Sequence, residues 1–118
     1  MGEQLDRMER VLQRLSPRLL EHFDRMRAES LIDLENRKGK AAGAYCTSFP
    51  DEARVAIFCN STGNEDDVRT LTHELGHAFQ GWESQWIEAP DLRWPTSDAC
   101  EVHSMGMEFL RLPYLDEF

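Results

Sequence analysis

Positive charge is scarce in this 118-residue chain: 13 Lys and Arg stand against 22 Asp and Glu, a formal net charge of −9. With a pI near 4.8 there is no basic footprint, which excludes nucleic acid and anionic membrane surfaces as expected partners. Long apolar runs are missing as well. No stretch approaches the ~18–20 residues of a membrane span, and residues 1–14 alternate charge with leucine where a secretory signal would carry an apolar core. Cysteine is limited to Cys46, Cys59 and Cys100, an odd number without a CxxC pair. That argues against a disulfide framework or a thiolate metal site and for reduced thiols in the cytoplasm. Repeats and low-complexity segments are absent. With 41% hydrophobic and 30% charged residues, the composition is that of one ordinary folded domain spanning residues 1–118.

Apolar spacing divides the chain. Leu5, Met8, Leu12 and Leu15 recur every three or four residues, so Glu3 to Leu15 reads as an amphipathic helix. Ser16-Pro17 restarts the pattern, Ser as N-cap and Pro in the first turn, for a second helix carrying Leu19, Leu20, Phe23 and Met26. Residues 1–29 thus form an N-terminal helical part, distinct from 30–118. Gly39 to Ala44 is nearly all Gly and Ala and reads as a loop that lets backbone approach closely, or one that is simply flexible. Arg54 to Cys59 reads as a strand, and Tyr45 to Phe49 can pair with it. A third helix is expected from Asp66 or Asp67, with Val68, Leu71, Leu75, Ala78 and Phe79 on its apolar face and Gly81 as its stop. A last helix starts after Thr96 or Ser97 and ends before Pro113. The expected fold class is mainly α with a small antiparallel β element.

Chemistry concentrates in the third helix, at His73-Glu74-Leu75-Gly76-His77. Residues four apart on a helix lie about 40° apart in angle and about 6 Å apart along the axis, so both imidazoles can reach one ion from the same side. Glu74, about 100° round from His73, can touch a water on that ion without being a ligand. The bland alternative is a helix with surface histidines. A catalytic zinc site needs a third protein ligand and an open position. Gly81 to Ile87 has no histidine, and the only others are His22 and His103. The candidate is therefore a carboxylate of the last helix, where Asp98, Glu101 and Glu108 share a face with Ser104 and Met105.

His73-Glu-Leu-Gly-His-Ala-Phe-Gln80, followed by Glu101-Val-His-Ser-Met-Gly-Met-Glu108-Phe109, resembles the oligoendopeptidase F and thimet oligopeptidase family of zinc peptidases. Leu31 to Cys46 is similar to the stretch that precedes the metal helix in oligoendopeptidase F-like members. The resemblance implies a zincin-like core with one Zn²⁺ per chain held by His73, His77 and Glu101, and Glu74 as general base. It implies a zinc-dependent metalloendopeptidase that hydrolyses short oligopeptides through a metal-activated water. Family members are several times longer, with channel-walling helices and, well after the third ligand, Tyr and His residues that stabilise the transition state. Nothing here corresponds to those, so the expectation is a catalytic-core piece of a longer architecture. The alternative is a zinc-binding but catalytically weak or inactive core, with self-association through bare apolar surface left open.

Several residues have two readings. Glu108 can hold the second nitrogen of a zinc-bound histidine or be a solvated carboxylate. Asp98 reads as a first-turn acid or a cap more readily than as a ligand. His103, about 200° round from Glu101, should face away from the metal, and His22, among charges, should be solvated. The strand Arg54 to Cys59 can be ordinary core or an edge that pairs with extended substrate. Trp82, Trp86 and Trp94 mean packing or an exposed sticky surface.

Overall fold

The computed structural model describes residues 2–118. Its order is α1 (Gly2–Leu15), α2 (Pro17–Ala28), β1 (Ile32–Asp33), β2 (Ala44–Phe49), β3 (Arg54–Cys59), α3 (Glu65–Glu83) and α4 (Ser97–Arg111). Short 3₁₀ turns follow β2, precede α4 and close the chain. Helices dominate, as the spacing of apolar residues predicts. In α1, Met8, Val11 and Leu12 are buried, and in α2 Phe23 and Met26. Ser16 caps α2 by accepting from the Leu19 amide, with Pro17 in the first turn. No helix is long and apolar enough to cross a membrane among the described residues.

The sheet is small, as expected, but it is not all antiparallel. It has three strands in the order β1-β3-β2, and it is mixed: β2 pairs antiparallel with β3, but β1 pairs parallel, Ile32 against Ile57 and Asp33 against Phe58. Two residues of strand carry no alternation, so the sequence offers no period by which to find β1. A second correction follows. The strand Arg54–Cys59 is the middle of the sheet, hydrogen-bonded on both sides, and buries Val55, Ile57 and Cys59. The edge beside α3 is β2.

Between β1 and β2 the chain is pinned by Lys40. Its ammonium, 1% exposed, donates to Asp33 Oδ1 at 3.0 Å and to the carbonyls of Glu35 at 2.8 Å and Cys59 at 2.6 Å, and lies 4.4 Å from the centre of the Phe58 ring. Asp33 is also held by Arg37, and these two cations, Arg37 first, keep its carboxyl far below the ordinary carboxylate range. The glycine-rich stretch is therefore tied down near its start. Lys40→Met, which removes the ammonium and strands those acceptors, should cost about 2–4 kcal/mol. Urea unfolding reads this as a lower midpoint at unchanged slope; an unshifted midpoint would show that the loop bears no load.

Helix α3 begins at Glu65, one or two residues before the start expected at Asp66 or Asp67. Asn64 is the N-cap, and Asp67 completes a capping box, its Oδ2 accepting from the amides of Thr62 and Asn64 at 2.7 and 3.1 Å. Gly81 does not stop it; the helix runs on to Glu83. A Cβ at Gly81 would lie 3.3 Å from Val55 Cγ2, so this glycine lets β3 lie close against the helix instead of terminating it. The sheet covers one side of α3 and α4 crosses another. Two ladders of packing thus meet along the one helix that carries the H-E-x-x-H.

Candidate metal centre

His73 and His77 project from successive turns of α3 toward Glu101 in the second turn of α4. Their ligand atoms, Glu101 included, all lie within 4.8 Å of one another. Among the described residues, no other set of three His, Cys, Asp or Glu side chains converges in this way. Glu101 Oε2 is 3.2 Å from His73 Nε2 and 3.7 Å from His77 Nε2, and the two imidazoles meet edge to face at 5.0 Å between centroids. Two nitrogens and one carboxylate oxygen within a few ångströms match the donor types and ligand count of an open zinc site. Burial pushes His77 below the ordinary imidazole range, against the pull of Glu101, and so favours the neutral form a metal requires.

The side chains behind this cluster are as specific as the cluster itself. His73 Nδ1 is 2.7 Å from Glu108 Oε1, which leaves Nε2 to face Glu101; Glu108 lies also near Arg69, at 3.8 Å. Of its two readings, the one that orients a histidine is what the geometry shows. Glu101 Oε2 accepts from Ser104 Oγ at 2.8 Å, and this bond, ahead of the nearby histidines, holds its carboxyl below the ordinary range despite some burial. Glu74, one position round the helix, is only 7% exposed. Burial raises its pKa, and Glu101 adds to the rise while His73 opposes it.

His73, Glu74, His77 and Glu101 line a cleft of about 400 Å³ together with Ala44, Tyr45 and Cys46 of β2 and with Trp94. Burial, with the Glu74 charge, pushes the Cys46 thiol up to about 12, so it stays protonated and is neither a nucleophile nor a ready ligand. Sequence reasoning does not find Ala44, Tyr45, Cys46 or Trp94 as cleft residues, because the position of a strand or a loop over a helix leaves no local signal. Nor does it find Gly76, whose missing side chain admits the α4 backbone.

Other expectations divide. His103 is exposed and stands outside the cluster, and Asp98 lies in the first turn of α4, also outside it. His22 is not simply solvated: its ring stacks on Trp82 at 5.7 Å, and its Nε2 is 2.7 Å from Glu83 Oε1. Apolar packing from α3 and a carboxylate partner turn a histidine among charges into a clasp between α2 and α3. Trp82 is buried while Trp86 is 80% exposed, so the aromatic trio includes both core and surface. All three cysteines are free.

The family model for peptidase family M3 matches residues 14–117. The chain belongs to peptidase family M3. Solved structures agree across its length. An assigned oligoendopeptidase F from Bacillus anthracis str. Ames superposes with a TM-score of 0.96 at 41% identity, covering 100% of this chain and 22% of that one. PZ peptidase A, solved with an inhibitor, superposes at 0.95 with 43% identity, covering 99% of this chain and 21% of that one. This M3 chain thus spans about a fifth of the length of the solved relatives. No curated protein matches it.

Proposed function

We propose that the chain is the core of a zinc-dependent metalloendopeptidase of oligoendopeptidase type that cleaves short peptides in the cytoplasm. The observation that carries this reading is the convergence of His73, His77 and Glu101 within 4.8 Å beside the buried carboxyl of Glu74. His73, His77 and Glu101 would hold the zinc, which when bound would supply Lewis acidity and make a water at the open position more acidic. Glu74 takes a proton from the attacking water and passes it to the leaving amine. Burial raises the proton affinity of Glu74 and a bound zinc would lower it, so the two act against each other on the group that takes and gives the proton. Strand β2 offers a free edge across the cleft, and an extended peptide paired with Ala44–Cys46 would run past the cluster. Glu108 fixes the tautomer and ring angle of His73.

A second reading has its own support. Phe109, Leu110, Leu112 and Leu115 near the end of the chain are about half exposed or more, and the relatives are nearly five times longer. On that reading the core binds zinc but turns over weakly, and bare apolar surface promotes self-association. One experiment separates the two. Zinc titration, followed by cleavage of a quenched fluorescent peptide with and without chelator, should show one zinc per chain and hydrolysis that stops on chelation and returns with zinc. One zinc per chain with an intact peptide favours the second reading, and no zinc at all overturns both. Glu108→Ala should weaken zinc binding about 10–100-fold, measured by competition with a chromogenic chelator. Affinity equal to the parent's would remove Glu108 from the site.

A further inference from the structure

Ser104 is fully buried at the crossing of α3 and α4. Its hydroxyl has one proton and two acceptors in reach, both belonging to Glu101: the main-chain carbonyl at 3.1 Å and carboxylate Oε2 at 2.8 Å. The carboxylate contact is shorter and charge-assisted, so it takes the proton. Oε2 is also the oxygen that faces His73 and His77. The Glu101 side chain is half exposed, on a helix surface where a free glutamate samples several rotamers. Its partner, in contrast, has no freedom. The Cα of Ser104 lies where a Cβ on Gly76 would be only 2.5 Å away, so backbone packs directly on backbone at this point. Gly76 sits between His73 and His77 in the same two turns. The hydroxyl is thereby referenced to the histidine helix, although it belongs to the other one.

We propose that Ser104 is a positioning residue: its hydroxyl, locked against Gly76, holds the Glu101 carboxylate at the point where the two histidine nitrogens converge. This inference rests on the zinc reading above. A carboxylate oxygen has one lone pair for the hydroxyl and another for the ion, so the bond persists on binding and lowers the entropy lost when Glu101 coordinates. Without the hydroxyl, Glu101 must be ordered by the metal alone.

The test uses the full chain with zinc alone and with cobalt alone. Ser104→Ala keeps the Cβ and the helix contact and removes only the oxygen. It should weaken zinc binding about tenfold or more in chelator competition and change the visible absorption of the cobalt form. The thermal midpoint of the metal-free protein should stay near the parent's. The same substitution in a Glu101→Ala background should cost nothing further, because Ser104 acts through that carboxylate. Parental affinity and an unchanged cobalt spectrum in Ser104→Ala would overturn this inference alone. An equal additional loss in the Glu101→Ala background would also overturn it, since the serine would then act through general packing. A parent chain that binds no zinc would overturn the zinc reading and this one together.

Discussion

Glu74→Gln should leave zinc binding at one ion per chain and lower peptide hydrolysis about 10²–10⁴-fold, the usual worth of a positioned general base. Gln matches Glu in size and keeps a hydrogen-bonding oxygen, but it cannot accept a proton from water. Because Glu74 is buried and is not one of the three converging residues, its loss should not disturb them. The pH profile adds an independent check. Hydrolysis needs the ionised form, which burial of the Glu74 carboxyl opposes and a bound zinc would favour. With zinc saturating, the acid limb of the parent's activity should include protonation of Glu74, and the residual rate of the Gln variant, which has no carboxyl to protonate, should show a shallower acid limb that reports only the metal ligands. Retained zinc with parental turnover in Glu74→Gln would remove the base assignment. Lost zinc would instead make Glu74 part of the metal site's structure.

How far the site could be read without coordinates depends on which residues share an element. His73, Glu74 and His77 are legible because helical geometry alone puts them on adjoining positions of one surface. The third ligand is a different problem. Helical spacing on α4 leaves Asp98, Glu101 and Glu108 on one face, and only the crossing of α4 over α3 sorts them. That crossing brings Glu101 to both histidines, puts Glu108 behind His73, and leaves Asp98 in the first turn. The resemblance to zinc peptidases singles out Glu101, but the spacing does not. Partnership with distant elements explains the other differences. Gly81 at the end of an apolar stripe looks like a helix stop, yet its neighbour is Val55 on β3. Strand β1 is too short to have a period, and its existence turns β3 from an edge into the centre. The start of α2 fares better, since Ser16 acts on the Leu19 amide three residues away, whereas the acidic first turn of α3 does not by itself point to its Asn64 cap.

Gly76→Ala should be the most damaging substitution of a residue that touches no ligand. In the interior of an exposed helix, Gly to Ala stabilises by about 0.5–1 kcal/mol. At Gly76 the new Cβ would stand 2.5 Å from Ser104 Cα, 2.6 Å from the His103 carbonyl oxygen and 2.9 Å from the His103 carbonyl carbon. All three are backbone atoms, so no rotamer change relieves the contact, and α4 has to move outward by about an ångström to reach ordinary packing distance. Overpacking of this kind costs about 1–3 kcal/mol or more, which outweighs the helix-propensity gain. The displaced helix carries Glu101, whereas a metal site tolerates only about 0.2 Å in its bond lengths. The expected result is a lower thermal midpoint together with zinc affinity reduced at least about tenfold, the low end for a disturbed metal environment. Gly106 is the internal control. It lies on α4, and a Cβ there meets nothing within 4 Å. Gly106→Ala should accordingly raise the midpoint and leave zinc affinity unchanged. Opposite signs for one chemical change at two helical glycines would attribute the effect to the α3–α4 contact. Equal signs would mean that the two helices can separate without cost, and Glu101 would then owe its place to something other than this crossing.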